Sequence, residues 1–382
     1  MTHNTNSLKK EINELKYMIE HTSSKSVKRH YSIIYLNLCD LLYEITDEVI
    51  NTNFLDGNLR FIGKYIDNIN KNFYNEISTD NYVKMINKLT KNTLNFLKPI
   101  HKYFYFDSNI NLNDAKDLII EFICNYDISL YPIVTKALND EHLFIIYEKN
   151  EAGNGYTFFN TYSSSPYIVI FTNSHEKKLS IENITCLMHE IGHVINFYMN
   201  LTNPKMFIKT THNSFVETPS IIFEELFIEY LVKNKIEEEN IQMIKHNNLY
   251  LLKQYSSYLR LNNFIINDIF ECEEVDLDEI KEILLSKGIN KDIDYLKYSF
   301  NDVLANYQYN YGHLISSYYL DLFNKDEETT KKYIKEFIKC IGITDDFYML
   351  NHFGIDFDKF IQCDYLNDIV SNNQKQLSHY KR

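Results

Sequence analysis

Backbone punctuation is scarce in this chain. Its 382 residues include only nine glycines and five prolines, against a usual glycine share of about 7%. Glycine supplies left-handed turns and proline supplies fixed kinks, so a chain short of both has few places to reverse tightly. Barrels built from many short strands, collagen-like repeats and flexible linkers are disfavoured on that ground. Long helices with few interruptions are favoured. A 45% share of hydrophobic residues, with 31 tyrosines and 25 phenylalanines, is enough to bury a large core and argues against disorder.

Hydrophobic periodicity agrees. Leu8, Ile12, Leu15 and Ile19 recur at helical spacing, and SIIYLNLCDLLYEITDEVI reads as a buried second helix. Further amphipathic segments near 57–77, 81–104 and 113–125 extend the helical pattern over about 7–135. Three β-branched and aromatic runs follow: HLFIIYE (142–148), GYTFFNTY (155–162) and PYIVIFT (166–172). Gly153–Asn154–Gly155 and Ser163–Ser165 separate them, so they read as short strands joined by turns. Helix returns at about 181–200, 218–234, 239–262, 277–286, 295–324 and 327–341. The expected fold class is mainly α with a small antiparallel-type sheet. An N-terminal helical region (1–140) would precede a second region (141–382) holding the sheet and the remaining helices.

The formal charge is −13, from 39 basic and 52 acidic residues. That balance lacks the cationic surface that neutralises phosphates, so nucleic acid is not an expected partner. The six cysteines are scattered with no CxxC pair, which reads as small buried hydrophobes in a reducing compartment. The first twenty residues show no apolar leader core, and no apolar run approaches a membrane span. A cytoplasmic protein without a membrane partner is expected.

Chemistry concentrates in ENITCLMHEIGHVINFYMN. His189 and His193 lie four residues apart on a helical stretch, so their imidazoles project from one face a turn apart. Glu190 lies beside the first histidine, completing the HExxH arrangement of zinc peptidases. An extended form of the motif would need glycine at 196 and histidine at 199, where this chain has Asn196 and Met199. A carboxylate is therefore wanted as third ligand. SFVETPSIIFEELFIEYLV offers Glu217, Glu224, Glu225 and Glu229. In one helix, Glu217 and Glu224 would share a face with Ile221 and Ile228, although Pro219 and Ser220 mark a first turn nearby. Carboxylates on an apolar face need a partner, and a metal with ligating histidines is one. His101, His142, His175, His212, His246 and His352 have no such spacing and read as ordinary surface or core residues.

With those residues in view, the sequence resembles the thimet oligopeptidase and oligoendopeptidase F family of zinc metallopeptidases. HEIGHVINFYM is similar to that family's HExGH helix, and FVETPSIIFEE to its second helix, where a glutamate two residues before Pro-Ser is the third zinc ligand. GYTFFNTYSSSPYIVIFTN resembles the strand segment at the active-site cleft, NYQYNYGHLIS the tyrosine block, and YIKEFIKCIGITDDFYMLNHFGIDF the C-terminal segment. The likeness spans about 150–360. It implies a large helical metallopeptidase with its sheet at the cleft, and one Zn²⁺ per chain on His189, His193 and Glu217, with Glu224 beside the ligand set. Glu190 would be the general base. Tyr309 matches the family's oxyanion donor best, with Tyr307, Tyr311 and His313 as neighbouring candidates. The strand 166–171 would pair with an extended peptide.

Two positions depart from the family pattern: Ala305 stands where relatives often carry the first tyrosine, and Ser299 where a histidine is common. The implied activity is endopeptidase cleavage of short peptides. A processing peptidase for one leader or signal peptide, and a degenerate relative that binds peptide or zinc without turnover, are the alternatives.

Overall fold

The computed structural model describes residues 5–50, 52–55, 80–148, 153–160, 163–201, 215–269, 281–282, 285–286, 303–341 and 346–380. The expected helix at 57–77, most of that at 277–286, and the positions Ser299 and His212 lie outside them. Two compact units are present. One comprises Met1–Asn68 with Phe106–Leu201, the other Ile69–Tyr105 with Thr202–Arg382. The strands share a hydrophobic core with the N-terminal helices and the HExxH helix packs on those strands, so all of them fall in one unit.

In the first unit, α1 (Asn6–His21) and α2 (Lys25–Thr46) pack together, and α4 (Leu112–Tyr126) and α5 (Tyr131–Ala137) precede the strands. Leu8, Ile12, Leu15 and Ile19 meet Ile34, Leu38, Leu41 and Leu42 in one core. The expected apolar stripe of α1 is thus its buried face. The sheet contains β1 (Leu143–Tyr147), β2 (Gly155–Asn160) and β3 (Ser165–Thr172), in the order β1-β3-β2. β2 runs antiparallel to β3, with Gly155 opposite Ile170, whereas β1 runs parallel to it, with Leu143 opposite Ile168. The sheet is therefore mixed. Its central strand is β3, the PYIVIFT run, with a neighbour on each side. That position corrects the expectation that 166–171 takes a peptide: both of its edges are already paired. Phe144, Tyr167 and Val169 join the α1–α2 core, while Ile168 and Ile170 alternate to the opposite face. Burial on both faces explains the nearly continuous apolar run.

The opposite face meets α6 (Ile181–Asn200), whose Phe197 stacks on Phe159 of β2 at 4.1 Å. Ser180 begins α6 with a capping box. Its hydroxyl accepts from the Asn183 backbone N–H at 3.1 Å, and the Asn183 side-chain Oδ1 accepts from the Ser180 N–H at 3.0 Å. Asn183 also donates to the Phe171 carbonyl at 2.7 Å, tying the start of α6 to β3. Apolar residues lie all around α6, so it is a buried helix rather than a surface one.

In the second unit, α3 (Asp80–Phe96), α7 (Thr218–Lys233), α8 (Glu238–Ile269) and α9 (Val303–Phe323) form the main body. α7 and α9 approach closely at Gly312, where an added Cβ would run into the Ile221 side chain. The Asn247 side chain holds both the N–H and C=O of Phe104 at 2.8 Å, replacing the pairing a strand would provide. α10 (Glu327–Cys340) follows as expected. Three further helices, Asp346–His352, Phe357–Gln362 and α13 (Tyr365–Tyr380), were not legible in the sequence. The α13 segment SNNQKQ has weak helical preference, but its Asn373 bonds His246 at 3.1 Å and the Gln242 carbonyl at 2.9 Å. Tertiary polar contacts support that helix.

Among the described residues, no helix is long and apolar enough to cross a membrane. Cys39 and Cys363 are buried as expected, Cys124 is exposed, and the five described cysteines are free thiols.

Candidate metal centre

The histidines occupy the middle of α6, where the four-residue spacing brings their rings together. The centroids lie 5.1 Å apart with the planes at 78°. Glu217 lies immediately before α7 as its N-cap residue. Its carbonyl accepts from Ser220 Oγ at 2.6 Å and from the Ile221 N–H at 3.1 Å, which fixes the turn that Pro219 begins. One ligand atom from each of His189, His193 and Glu217 lies within 4.8 Å of the other two. Two imidazoles and a carboxylate within mutual reach form a donor set suited to one divalent ion. Of the four glutamates proposed from the sequence, Glu217 is the one in this cluster.

Glu190, the intervening residue, is buried and held from the sheet. Thr157 Oγ of β2 donates to its carboxylate Oε2 at 2.7 Å and also reaches its carbonyl at 3.2 Å.

Glu224 and Glu225 both face α8. Asn248 donates its amide to Glu225 at 2.8 Å and to Glu224 at 3.3 Å. Glu225 is buried, and burial followed by the Glu224 charge pushes its carboxyl up to about 7. Its burial was not legible because one acidic neighbour in EE looks like the other. Glu229 pairs with Lys245.

Tyr307 and Tyr311 are fully buried, and Tyr311 packs against Phe215 at 5.3 Å. Tyr309 is half-buried and stacks on Tyr255 at 5.1 Å, with the planes 10° apart. His313 is buried 6.3 Å from the same Tyr255 ring and lines a cavity of about 510 Å³ with Glu225, Lys245, Asn248 and Tyr365. Tyr255 is a residue that sequence reasoning missed. Burial, then the Glu217 charge, pushes its phenol up to about 12. Nothing in the chain marks it among 31 tyrosines.

This geometry is that of an HExxH metal centre completed by a glutamate. The chain belongs to peptidase family M3, whose family model matches residues 127–360. An oligoendopeptidase F homolog of Borreliella burgdorferi (strain ATCC 35210 / DSM 4680 / CIP 102532 / B31) is 27% identical over 247 residues, or 59% of this chain. The chain spans 40% of that relative's length. Among solved structures, a Bacillus anthracis str. Ames protein assigned as an oligoendopeptidase F aligns with a TM-score of 0.59 at 12% identity, covering 96% of this chain and 69% of the other. PZ peptidase A bound to an inhibitor aligns with a TM-score of 0.58, also at 12% identity, over 96% of this chain and 71% of the other. These structures share the fold.

Proposed function

We propose that the chain is a zinc-dependent endopeptidase acting on short peptides. The observation that carries this reading is the His189–His193–Glu217 cluster on the HExxH helix and the following turn. Three protein donors leave a fourth position for water or substrate, the pattern of a catalytic rather than a structural zinc site. When bound, zinc supplies Lewis acidity, polarising a carbonyl and lowering the pKa of water toward about 7.

The remaining work belongs to side chains. Glu190 accepts a proton from the attacking water and returns it to the departing amine nitrogen, which becomes the new N-terminus. The Tyr309 phenol is the proposed donor to the developing oxyanion, a role it takes from its match to the family's tyrosine block. Substrate pairing moves from β3 to β2, which has β3 on only one side. An extended peptide adding to that edge binds through main-chain hydrogen bonds, leaving side-chain selectivity loose. One zinc per chain, a peptide partner and a cytoplasmic location complete the reading. The free thiols support that location.

Glu190→Gln tests it. The variant should retain zinc and lose peptide hydrolysis by about 10²–10⁴-fold. Undiminished hydrolysis with zinc still bound would overturn the assignment.

A further inference from the structure

Glu190 is gripped from a different element. Thr157 lies on β2, opposite Ile168 of β3, and its hydroxyl reaches Glu190 Oε2 at 2.7 Å. Side chains alternate along β2. Tyr156 and Phe158 pack against the α1–α2 core, whereas Phe159 stacks on Phe197 of α6. Thr157 shares the α6-facing parity, so strand register dictates the contact. Gly155, two residues earlier on that face, has no room for a side chain. A Cβ there would stand 2.7 Å from the Val169 carbonyl and 3.1 Å from Cys186 Sγ. Close seating at Gly155 lets β2 approach α6, and the Phe159–Phe197 stack holds the other side of Thr157. The hydroxyl is therefore fixed from both directions along the strand.

We propose that Thr157 is the positioning residue for Glu190, aligning the base from the same edge strand that receives the peptide. A glutamate has three rotatable side-chain bonds, and one acceptor engaged from a rigid sheet removes much of that freedom. Donation to Oε2 leaves Oε1 as the oxygen available to take a proton. Charge-assisted hydrogen bonds of this length belong to the stronger class. Peptide pairing on β2 and orientation of the base are thereby linked through one residue. This inference rests on the peptidase reading for its kinetic consequence, but the hydrogen bond can be tested without it.

Thr157→Val removes the donor at nearly constant shape, while Thr157→Ser keeps it. In the zinc-loaded full chain, the valine variant should lower kcat about tenfold. KM and zinc content should stay unchanged, and the serine variant should come within about twofold of wild type. Unaltered kcat in Thr157→Val, a loss that serine does not restore, or a loss accompanied by reduced zinc content would overturn the proposal.

A second measurement uses the metal-free protein. In a thermal double-mutant cycle of Thr157→Val with Glu190→Ala, the valine substitution should lower the melting temperature only when Glu190 is present. Additive shifts would overturn the contact. Failure of the wild-type protein to cleave any peptide would instead sink the peptidase reading, and the metal-free cycle would still decide the Thr157–Glu190 link.

Discussion

Asn248 on α8 shares one side-chain amide between two adjacent carboxylates of α7, Glu225 at 2.8 Å and Glu224 at 3.3 Å. Glu225 is buried and its carboxyl is raised to about 7 from 4.5, by burial first and by the Glu224 charge second. Asn248 and Lys245 oppose the rise, and Glu229 adds to it. Between about pH 4.5 and 7 the folded chain holds a proton at Glu225 that the unfolded chain has lost. Stability from this group is therefore full below the unfolded value and falls as pH rises toward 7, by on the order of 3 kcal/mol. Thermal melts from pH 5 to 8 should show that fall in wild type and lose it in Glu225→Gln. Asn248→Ala should extend the fall to higher pH, because losing the nearest donor to the ionised form raises the folded value further while the unfolded value stays the same.

Zinc should stabilise the fold through the three-residue cluster. Free zinc at about a hundred times its Kd adds about 2.7 kcal/mol. Chelation should lower the melting temperature, and zinc should restore it. Glu217→Ala should blunt the zinc-dependent rise, and a rise as large as in wild type would remove Glu217 from the ligand set.

Asn183 joins the start of α6 to β3 through its bond to the Phe171 carbonyl while completing the capping box with Ser180. Asn183→Ala should destabilise the chain by about 1–2 kcal/mol in urea titration. Ser180→Ala, which spares the bond to β3, should cost less.

Two glycines make a contrast. A Cβ at Gly155 meets the Val169 carbonyl, a backbone atom that cannot step aside. Gly155→Ala should destabilise by about 1–3 kcal/mol and reduce activity by moving β2 away from α6. At Gly312 the nearest atom is the tip of the Ile221 side chain, which can rotate. Gly312→Ala should remain within about 1 kcal/mol of wild type, because better helix propensity offsets the repacking. Denaturant midpoints of the two variants check both.

Tyrosine position separates catalysis from packing. Tyr307 has no exposed surface, and burial pushes its phenol well above the usual range. Tyr309 is half-buried beside Tyr255. Tyr309→Phe should lower kcat about 10²–10³-fold, whereas Tyr307→Phe should change it by less than about twofold. Steady-state kinetics of the pair decide between them, and an unaffected Tyr309→Phe would move the donor role elsewhere.

The helical character, the identity of α6 as a motif helix and the candidates for the metal cluster were all legible in the amino-acid order. These depend on local spacing: breakers are scarce, His189 and His193 are one turn apart, and Glu217 precedes Pro219–Ser220. Which strand is central was not legible, because β2 and β3 are both aromatic and β-branched runs whose order depends on pairing across the sheet. The C-terminal helix α13 was missed because its support comes from His246 and Gln242, more than a hundred positions away in the chain. Between the adjacent acids Glu224 and Glu225, tertiary packing is what buries the second. The grip of Thr157 on Glu190 also needed the folded chain, because a hydrogen bond between residues 33 positions apart follows from strand register and helix docking. Periodicity within a segment carries neither.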